Sequence, residues 1–270
     1  MSKHEFRVGI EVGGTFTDLV ASDGYQMKTA KVPSTPSKPD EGAMNAIRAA
    51  ELDISQIKEL VHGSTVATNA VLERKGGRVC LFVTKGTRDI LLLQRHDRRS
   101  IYDLHYKKPE PVVARHDTYE IKERISPDGS VVLDIDEDHA REQIKTALRD
   151  GRFDSAAICF LHSYTNSRHE RLLKELIQQE FPSLPITCSC DVTREFREYE
   201  RASTTTLAAY VQPVIAGYIK RFSASLAKQG FKGRFSIMQS NGGRMPAEAM
   251  AKNAISALFS GPAAGVVGAI

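Results

Sequence analysis

The feature that most constrains the fold is the run IleGluValGlyGlyThrPheThrAsp at 10–18, set between two segments of strand character. Adjacent glycines between β-type runs demand a tight reversal, and strands joined that closely must pair. FRVGIEV (6–12), FTDLVASD (16–23) and YQMKTAKV (25–32), separated by Gly13-Gly14 and Asp23-Gly24, therefore predict an antiparallel meander. The two glycines also let successive backbone N–H groups point into one concavity suited to a phosphate. Thr15 and Thr17 add hydroxyl donors, and Glu11 and Asp18 are carboxylates at the rim that could hold a magnesium ion through its waters. The spacing is neither a Walker loop nor a dinucleotide-binding G-x-G-x-x-G. A plain turn between strands is the competing reading.

A helical pattern at 37–52 follows, with Pro39 acceptable in a first turn and Met44, Ile47 and Leu52 on one face. A second helix is predicted over 66–74, closed by Gly76-Gly77. RVCLFVT (78–84) then reads as a buried strand leading to a helix near 87–94. Residues 100–136, with a Pro127-Asp128-Gly129 turn, predict a hairpin insertion carrying a long loop. Alternation resumes with a helix at 138–149, the strand AAICFLHSY (156–164), a helix at 167–180 opened by a Ser167/Glu170 capping box, and the strand PITCSC (185–190). A long helical stretch from about 194 to 228, interrupted near Pro213, and the strand FSIMQ (235–239) are predicted last along the chain. The order is βββαβα with further β/α units, and the domain boundary is expected near 185–200, dividing the chain into 1–190 and 195–270.

Apolar residues make up 41% of the chain with no apolar run near twenty residues, so a soluble globular protein is expected and a membrane-spanning helix is not. The 37 Lys+Arg and 33 Asp+Glu are interspersed rather than gathered into arms, which gives no sign of nucleic-acid binding. The start, MSKHEFRVGIEV, has no apolar secretory core, and a cytoplasmic location is the expectation. Cys80, Cys159, Cys188 and Cys190 lack the paired Cys-x-x-Cys spacing of a zinc site and read as buried thiols. The closing stretch 255–270 is apolar and glycine-rich where natural termini usually fray, so the chain is expected to be a piece of a longer protein.

Three further groups carry candidate chemistry. His62-Gly63-Ser64-Thr65, with Thr68 and Asn69, sets an imidazole, hydroxyls and an amide at a helix start, where free N–H groups favour an anion or a carbonyl oxygen. The plainer reading is an N-cap by Ser64 or Thr65, with His62 as a packing residue. Glu195, Arg197, Glu198, Glu200 and Arg201 read either as a solvated charged face or as a place where the planar fork of Arg197 or Arg201 meets a carboxylate. The glycine-rich segments 241–243 and 260–265 stand at strand-to-helix junctions, and the basic run 95–99 is either a loop over an acidic substrate or a solvated one.

GIEVGGTFTD (9–18) resembles the first phosphate motif of the actin-like ATPase superfamily, and the βββαβα order agrees. More specifically, the chain resembles the A-type subunits of the hydantoinase/oxoprolinase family. The likeness is carried in order by GIEVGGTFTD, HGSTVATNAVLERKG (62–76), TKGTRDIL (84–91), SIYDL (100–104), EFREYERASTTTLAAYVQP (195–213), MQSNGG (238–243) and SGPAAGVVGA (260–269). The resemblance implies a ribonuclease-H-like α/β fold, a mixed sheet flanked by helices, with a second domain only begun. It implies an ATP- and magnesium-dependent hydrolase that opens a cyclic amide of the hydantoin or 5-oxoproline type after phosphorylating its carbonyl oxygen. Residues Gly13, Gly14, Thr15, Phe16, Thr17 and Gly261 are then candidates at the nucleotide, Glu11 and Asp18 at the metal and the chemistry, and His62, Thr65, Asn69 and Arg197 at the substrate. An oligomer with a B-type partner protein is expected. At Glu11 the sequence departs from the Asp usual in the family. The extra methylene carries the carboxylate one bond further, where it either still orders a magnesium-bound water or marks weakened ATP hydrolysis. Two rival readings stay open: a component of an ATP-dependent ketone carboxylase, and a non-catalytic nucleotide-binding module.

Overall fold

The computed structural model describes residues 5–251, 253–258, 260, 261 and 263. Three strands open the chain, β1 (Phe6–Val12), β2 (Phe16–Ser22) and β3 (Met27–Pro33), paired antiparallel in sequence order as the turn signals require. Alternation along β1 buries Phe6, Val8, Ile10 and Val12 on one face and leaves Arg7, Gly9 and Glu11 on the other. Helix α1 (Pro39–Ala49) packs on the meander, with Pro39 in its first turn and Asp40 and Glu41 complementing the positive end of its dipole. Then comes a strand with no clear sequence signal, β4 (Ile57–Ser64), parallel to β1. Its charged and histidine positions hide its strand character, yet His62, Gly63 and Ser64 are buried there. Helix α2 (Val66–Leu72) follows.

Residues 1–75 and 214–270 form one compact unit, and residues 76–213 form a second. The second unit contains β5 (Val79–Thr84), a short α3 (Ile90–Leu93), β6 (Thr118–Ile121), the hairpin of β7 (Arg124–Ile125) and β8 (Val131–Leu133), and α4 (Glu137–Leu148). It continues through β9 (Ser155–Cys159), α5 (Arg168–Glu180), β10 (Ile186–Cys188) and α6 (Ser189–Val192). A parallel sheet in the order β10-β9-β5-β6 carries a core that includes Phe82, Ile144, Ile158, Phe160, Leu173 and Ile177. The helix expected at 87–94 is confined to α3. The strand expected over 156–164 stops at Cys159, because the chain turns at His162, whose φ is +57° and whose carbonyl accepts from the amides of Thr165 and Asn166. The strand expected at 185–190 is likewise only β10.

The Ser167/Glu170 capping box does not form, since Ser167 makes no side-chain cap. Glu170 is instead fully buried. Its Oε1 accepts from Phe160 N at 2.9 Å, Ser163 Oγ at 2.8 Å and Ser189 Oγ at 2.6 Å, and its Oε2 accepts from Cys190 N at 3.0 Å. The equally buried Arg201 lies 3.8 Å from that carboxylate and donates to Phe160 O. All four cysteines are buried and free.

Helix α7 (Glu198–Lys228) runs unbroken through Pro213, where an interruption was expected. The ring removes the amide that would bond Ala209 O, but Ser155 Oγ donates to that carbonyl at 2.8 Å, and Gly77 N donates to the neighbouring Tyr210 O at 2.9 Å. The chain re-enters the first unit at Val214 and adds β11 (Arg234–Met238), parallel to β4, then β12 (Arg244–Pro246), antiparallel to β11, and the short α8 (Ala247–Met250). The first sheet thus reads β12-β11-β4-β1-β2-β3. These units do not coincide with the division expected near 185–200, because the last strands return to a sheet begun at residue 6. Among the described residues, no helix is long and apolar enough to cross a membrane.

Candidate functional site

The reversal between β1 and β2 is closed by Gly13 N donating to Phe16 O at 3.0 Å and is tied to the end of β3 by Ser34 N donating to Thr15 O at 2.9 Å. Neither glycine takes a positive φ. The loop still offers donors, since among the described residues no carbonyl accepts from the amides of Gly14 or Thr15. A Cβ added at Gly14 would meet nothing within 4 Å, so the position borders open space. That space is a cleft of about 600 Å³ within the first unit. Gly13 and Gly14 form one side, Ser34, Thr35 and Ser37 another, and Thr65 and Asn69 of the α2 region a third. Thr65 donates through its amide and hydroxyl to Val12 O, at 3.1 and 3.3 Å, and so locks the start of α2 to the end of β1 instead of capping the helix. Asn69 Nδ2 donates to Thr65 Oγ1 at 3.2 Å.

The cleft also contains residues that the sequence did not single out, Lys75, Tyr218 and Arg221. The last two arrive on α7 after an excursion of well over a hundred residues, and no local pattern points to them. Arg221 Nε donates to Asp40 Oδ1 at 3.3 Å, and Asp40 is buried in the first turn of α1. Lys75 pairs with Glu73 at 2.7 Å.

Glu11 and Asp18 face each other across β1 and β2 on the sheet face opposite Ile10 and Val12. Burial, and then the neighbouring Asp18 charge, raise the carboxyl pKa of Glu11. Its carboxylate is clasped by two glycines: a Cβ at Gly63 would collide with it, and one at Gly261 would lie 2.8 Å from Oε1. Gly261 therefore belongs beside Glu11. Asp18 is half exposed and pairs with Lys31 at 2.9 Å. The pair offers oxygen donors suited to a hard divalent cation, whose charge would offset the burial and the Asp18 repulsion that raise Glu11. Among the described residues, no group of three or more His, Cys, Asp or Glu side chains converges on a metal site.

Other candidates fall elsewhere. Thr17 is fully buried, its hydroxyl 3.0 Å from Ser34 Oγ, so it supports the loop from below rather than facing a ligand. Phe16 is half exposed, with Lys31 Nζ 5.0 Å from its ring centroid. His62 is a correction: expected to shape the substrate side, it is fully buried, with Nδ1 3.2 Å from Ile10 O and Nε2 2.5 Å from Tyr218 OH. A carbonyl only accepts, so Nδ1 carries the proton and Nε2 accepts from the tyrosine. Desolvation holds the imidazole neutral, its pKa pulled down to about 4. Phe222 and Phe235 pack around the ring. Arg197 is exposed in the second unit, at φ +80° ahead of α7 and over the Phe196 ring, outside the cleft. From the basic run, Arg95 donates to Glu200 at 2.6 Å.

The hydantoinase/oxoprolinase N-terminal region matches residues 7–181, and the hydantoinase/oxoprolinase region matches 201–270. The chain belongs to the hydantoinase/oxoprolinase family. It is 32% identical to the alpha subunit of caprolactamase of Pseudomonas jessenii over 97% of this chain and 39% of that protein. The solved structure of the ATP-dependent caprolactamase from that organism aligns with a TM-score of 0.85 at 32% identity, over 95% of this chain and 39% of that one. The chain is also 32% identical to the 5-oxoprolinase of Saccharomyces cerevisiae, over 99% of its length and 24% of that enzyme. It is 31% identical to the acetophenone carboxylase gamma subunit of Aromatoleum aromaticum, over 97% and 38%. The chain thus spans from about a quarter to two fifths of the length of these family members. The mixed sheet flanked by helices is common to it and the solved structure.

Proposed function

We propose that the chain is the phosphate-binding part of an ATP-dependent hydrolase that opens a cyclic amide. The observation that carries this reading is the β1–β2 reversal, where Gly13 and Gly14 line a large cleft and, among the described residues, no carbonyl accepts from the amides of Gly14 and Thr15. The β1–β2–β3 meander with β4 and β11 parallel to β1 supports a ribonuclease-H-like, actin-like ATPase fold. In this reading the loop amides and the Thr15 hydroxyl bind the phosphates. Glu11 and Asp18 would hold magnesium, which supplies charge neutralisation to the phosphates when bound. The cleft beside Thr65 and Asn69 receives the ring. The amide oxygen takes the γ-phosphoryl group and ADP leaves. Water adds at the activated carbon, and the ring C–N bond breaks as the nitrogen takes up a proton, leaving an acyl phosphate. A second water hydrolyses that to the free acid and inorganic phosphate. Amide resonance and easy reclosure make such a ring hard to open, which is why coupling to ATP is useful.

The gamma-subunit likeness favours a second reading, in which the same phosphorylation activates a ketone for carboxylation. An oligomer with a B-type partner protein fits either. The test incubates the protein, purified with the partners that accompany it, with ATP and either lactams or ketone plus bicarbonate. Phosphate release that depends on a lactam and yields the ring-opened acid is expected. Release that depends strictly on ketone and bicarbonate selects the carboxylase, ATP binding by calorimetry without any turnover selects a non-catalytic nucleotide-binding module, and absence of ATP binding contradicts all three.

A further inference from the structure

We propose that residues 95–107, in the second unit, are a docking arm that seats in an apolar hollow rimmed by acidic residues on another subunit of the same enzyme. The inference rests on the reading of this chain as part of a multi-subunit enzyme and names the surface that makes the contact. No strand or helix forms over these residues, yet the arm is pinned where it leaves the fold. Gln94 Nε2 donates to Pro109 O at 3.1 Å, and Lys108 Nζ donates to Leu93 O at 2.6 Å. Arg95 Nε donates to Glu200 Oε1, in the first turn of α7, at 2.6 Å. The root also takes sparsely populated backbone conformations, with Gln94 at φ +54° and ψ −134° and His96 at φ +60°. Such residues persist only where their surroundings hold them, so the arm leaves the unit at a fixed point.

The tip of the arm is apolar. Tyr102 and Leu104 are each 94% exposed and Ile101 is 72% exposed. Single exposed apolar side chains are ordinary, but three within four residues on a pinned arm mark a surface that gains by being covered. Charge identifies the occupant. Residues 95–108 contain five Lys and Arg against two Asp. Arg95 is matched by Glu200 and Lys108 by a carbonyl, whereas Arg98, Arg99 and Lys107 are exposed and enter no ion pair among the described residues. An acidic rim complements these cations, while a second copy of the arm would oppose like charges. An anionic lipid surface would repel Asp97 and Asp103, which stand among the cations, and the arm has no amphipathic helix to lie in such a surface. A protein rim can answer both signs. The caprolactamase and acetophenone carboxylase relatives are themselves an alpha and a gamma subunit.

The experiment purifies the full-length chain with its companion subunit, identifies that subunit by mass spectrometry, and measures the affinity between the two after separation. The variants are Tyr102→Ser with Leu104→Ser, Arg98→Glu with Arg99→Glu, and Tyr102→Phe, each checked for folding by circular dichroism and melting temperature. The apolar-tip double variant should weaken association by roughly thirtyfold or more. The charge-reversal variant should weaken it by about tenfold at low salt and by less at high salt. Tyr102→Phe should bind as the wild type does, and should stand in as the folded comparison if a double variant fails to fold. A benzophenone cross-linker placed at position 104 should join the companion subunit at a segment rich in Asp and Glu. Unchanged affinity in both double variants, or a cross-link to a second copy of this chain, overturns the proposal. So does binding of the wild-type chain to phosphatidylserine vesicles that the apolar-tip variant loses, which would assign the arm to a lipid surface. If a companion subunit is present and the variants still bind it, the arm proposal alone fails; if the wild-type chain purifies with no companion, the multi-subunit reading fails with it.

Discussion

Glu11 shows how a single carboxylate is accommodated at the centre of a sheet. It sits opposite Asp18 and gains no cation among the described residues, and room for it exists only because positions 63 and 261 carry no side chain. Gly63→Ala should therefore destabilise the protein by about 1–3 kcal/mol through overpacking. Adding Glu11→Ala should recover most of that loss, and a double-mutant cycle of thermal unfolding reads the coupling directly. His62 makes the opposite kind of prediction. Its folded pKa lies below the value in the unfolded chain, near 6.5, so its contribution is complete above that pH and is lost as pH falls toward about 4. Denaturant unfolding between pH 7 and 4 should show on the order of 3 kcal/mol of loss that His62→Gln largely removes. The sequence placed His62 and Asn69 side by side near a ligand. The structure separates them because β4 ends between them: the imidazole points into the core from a strand, while the amide stands on the helix beyond. That distinction requires knowing that 57–64 is a strand, which its mixture of Lys58, Glu59 and His62 conceals.

At the scale of elements, the strongest local signals gave the best reading. Gly-Gly and Asp-Gly between alternating runs specify a meander, and Pro39 with two acids specifies a helix start, because these effects act within a few residues. Elements shaped by distant partners were less legible. The Glu170 that completes a capping-box pattern is drawn instead into a buried network with Ser163, Ser189 and Arg201. Pro213, a helix breaker by rule, is tolerated because a hydroxyl 54 residues away takes over the carbonyl that it orphans. Ser155→Ala should accordingly cost about 1–3 kcal/mol by leaving Ala209 O buried without a donor. In a Pro213→Ala background, where the helix amide is restored, the same substitution should cost much less, as chemical denaturation of the four variants would show.

At the scale of the whole chain, the sheet that carries the candidate site is assembled from both ends of the sequence, with residues 76–213 folded as a separate unit between them. A linear reading places boundaries where composition changes and cannot see a strand that returns to a sheet begun two hundred residues earlier. For the same reason the β1–β2 loop was legible and its surroundings were not: Gly13 and Gly14 are contiguous in sequence, whereas Tyr218 and Arg221 join the cleft only through the fold. Everything proposed for the cleft depends on the β1–β2 loop binding the phosphates of ATP. Position 14 tests this cleanly, since its φ is not positive and an added side chain would enter open space rather than the core. Calorimetric titration of ATP into the wild-type protein and Gly14→Val, with melting temperatures within a few degrees of each other, should show affinity reduced by roughly a hundredfold or more, the loss of two to three charge-assisted hydrogen bonds. Equal ATP affinity in a folded Gly14→Val protein would contradict phosphate binding by this loop.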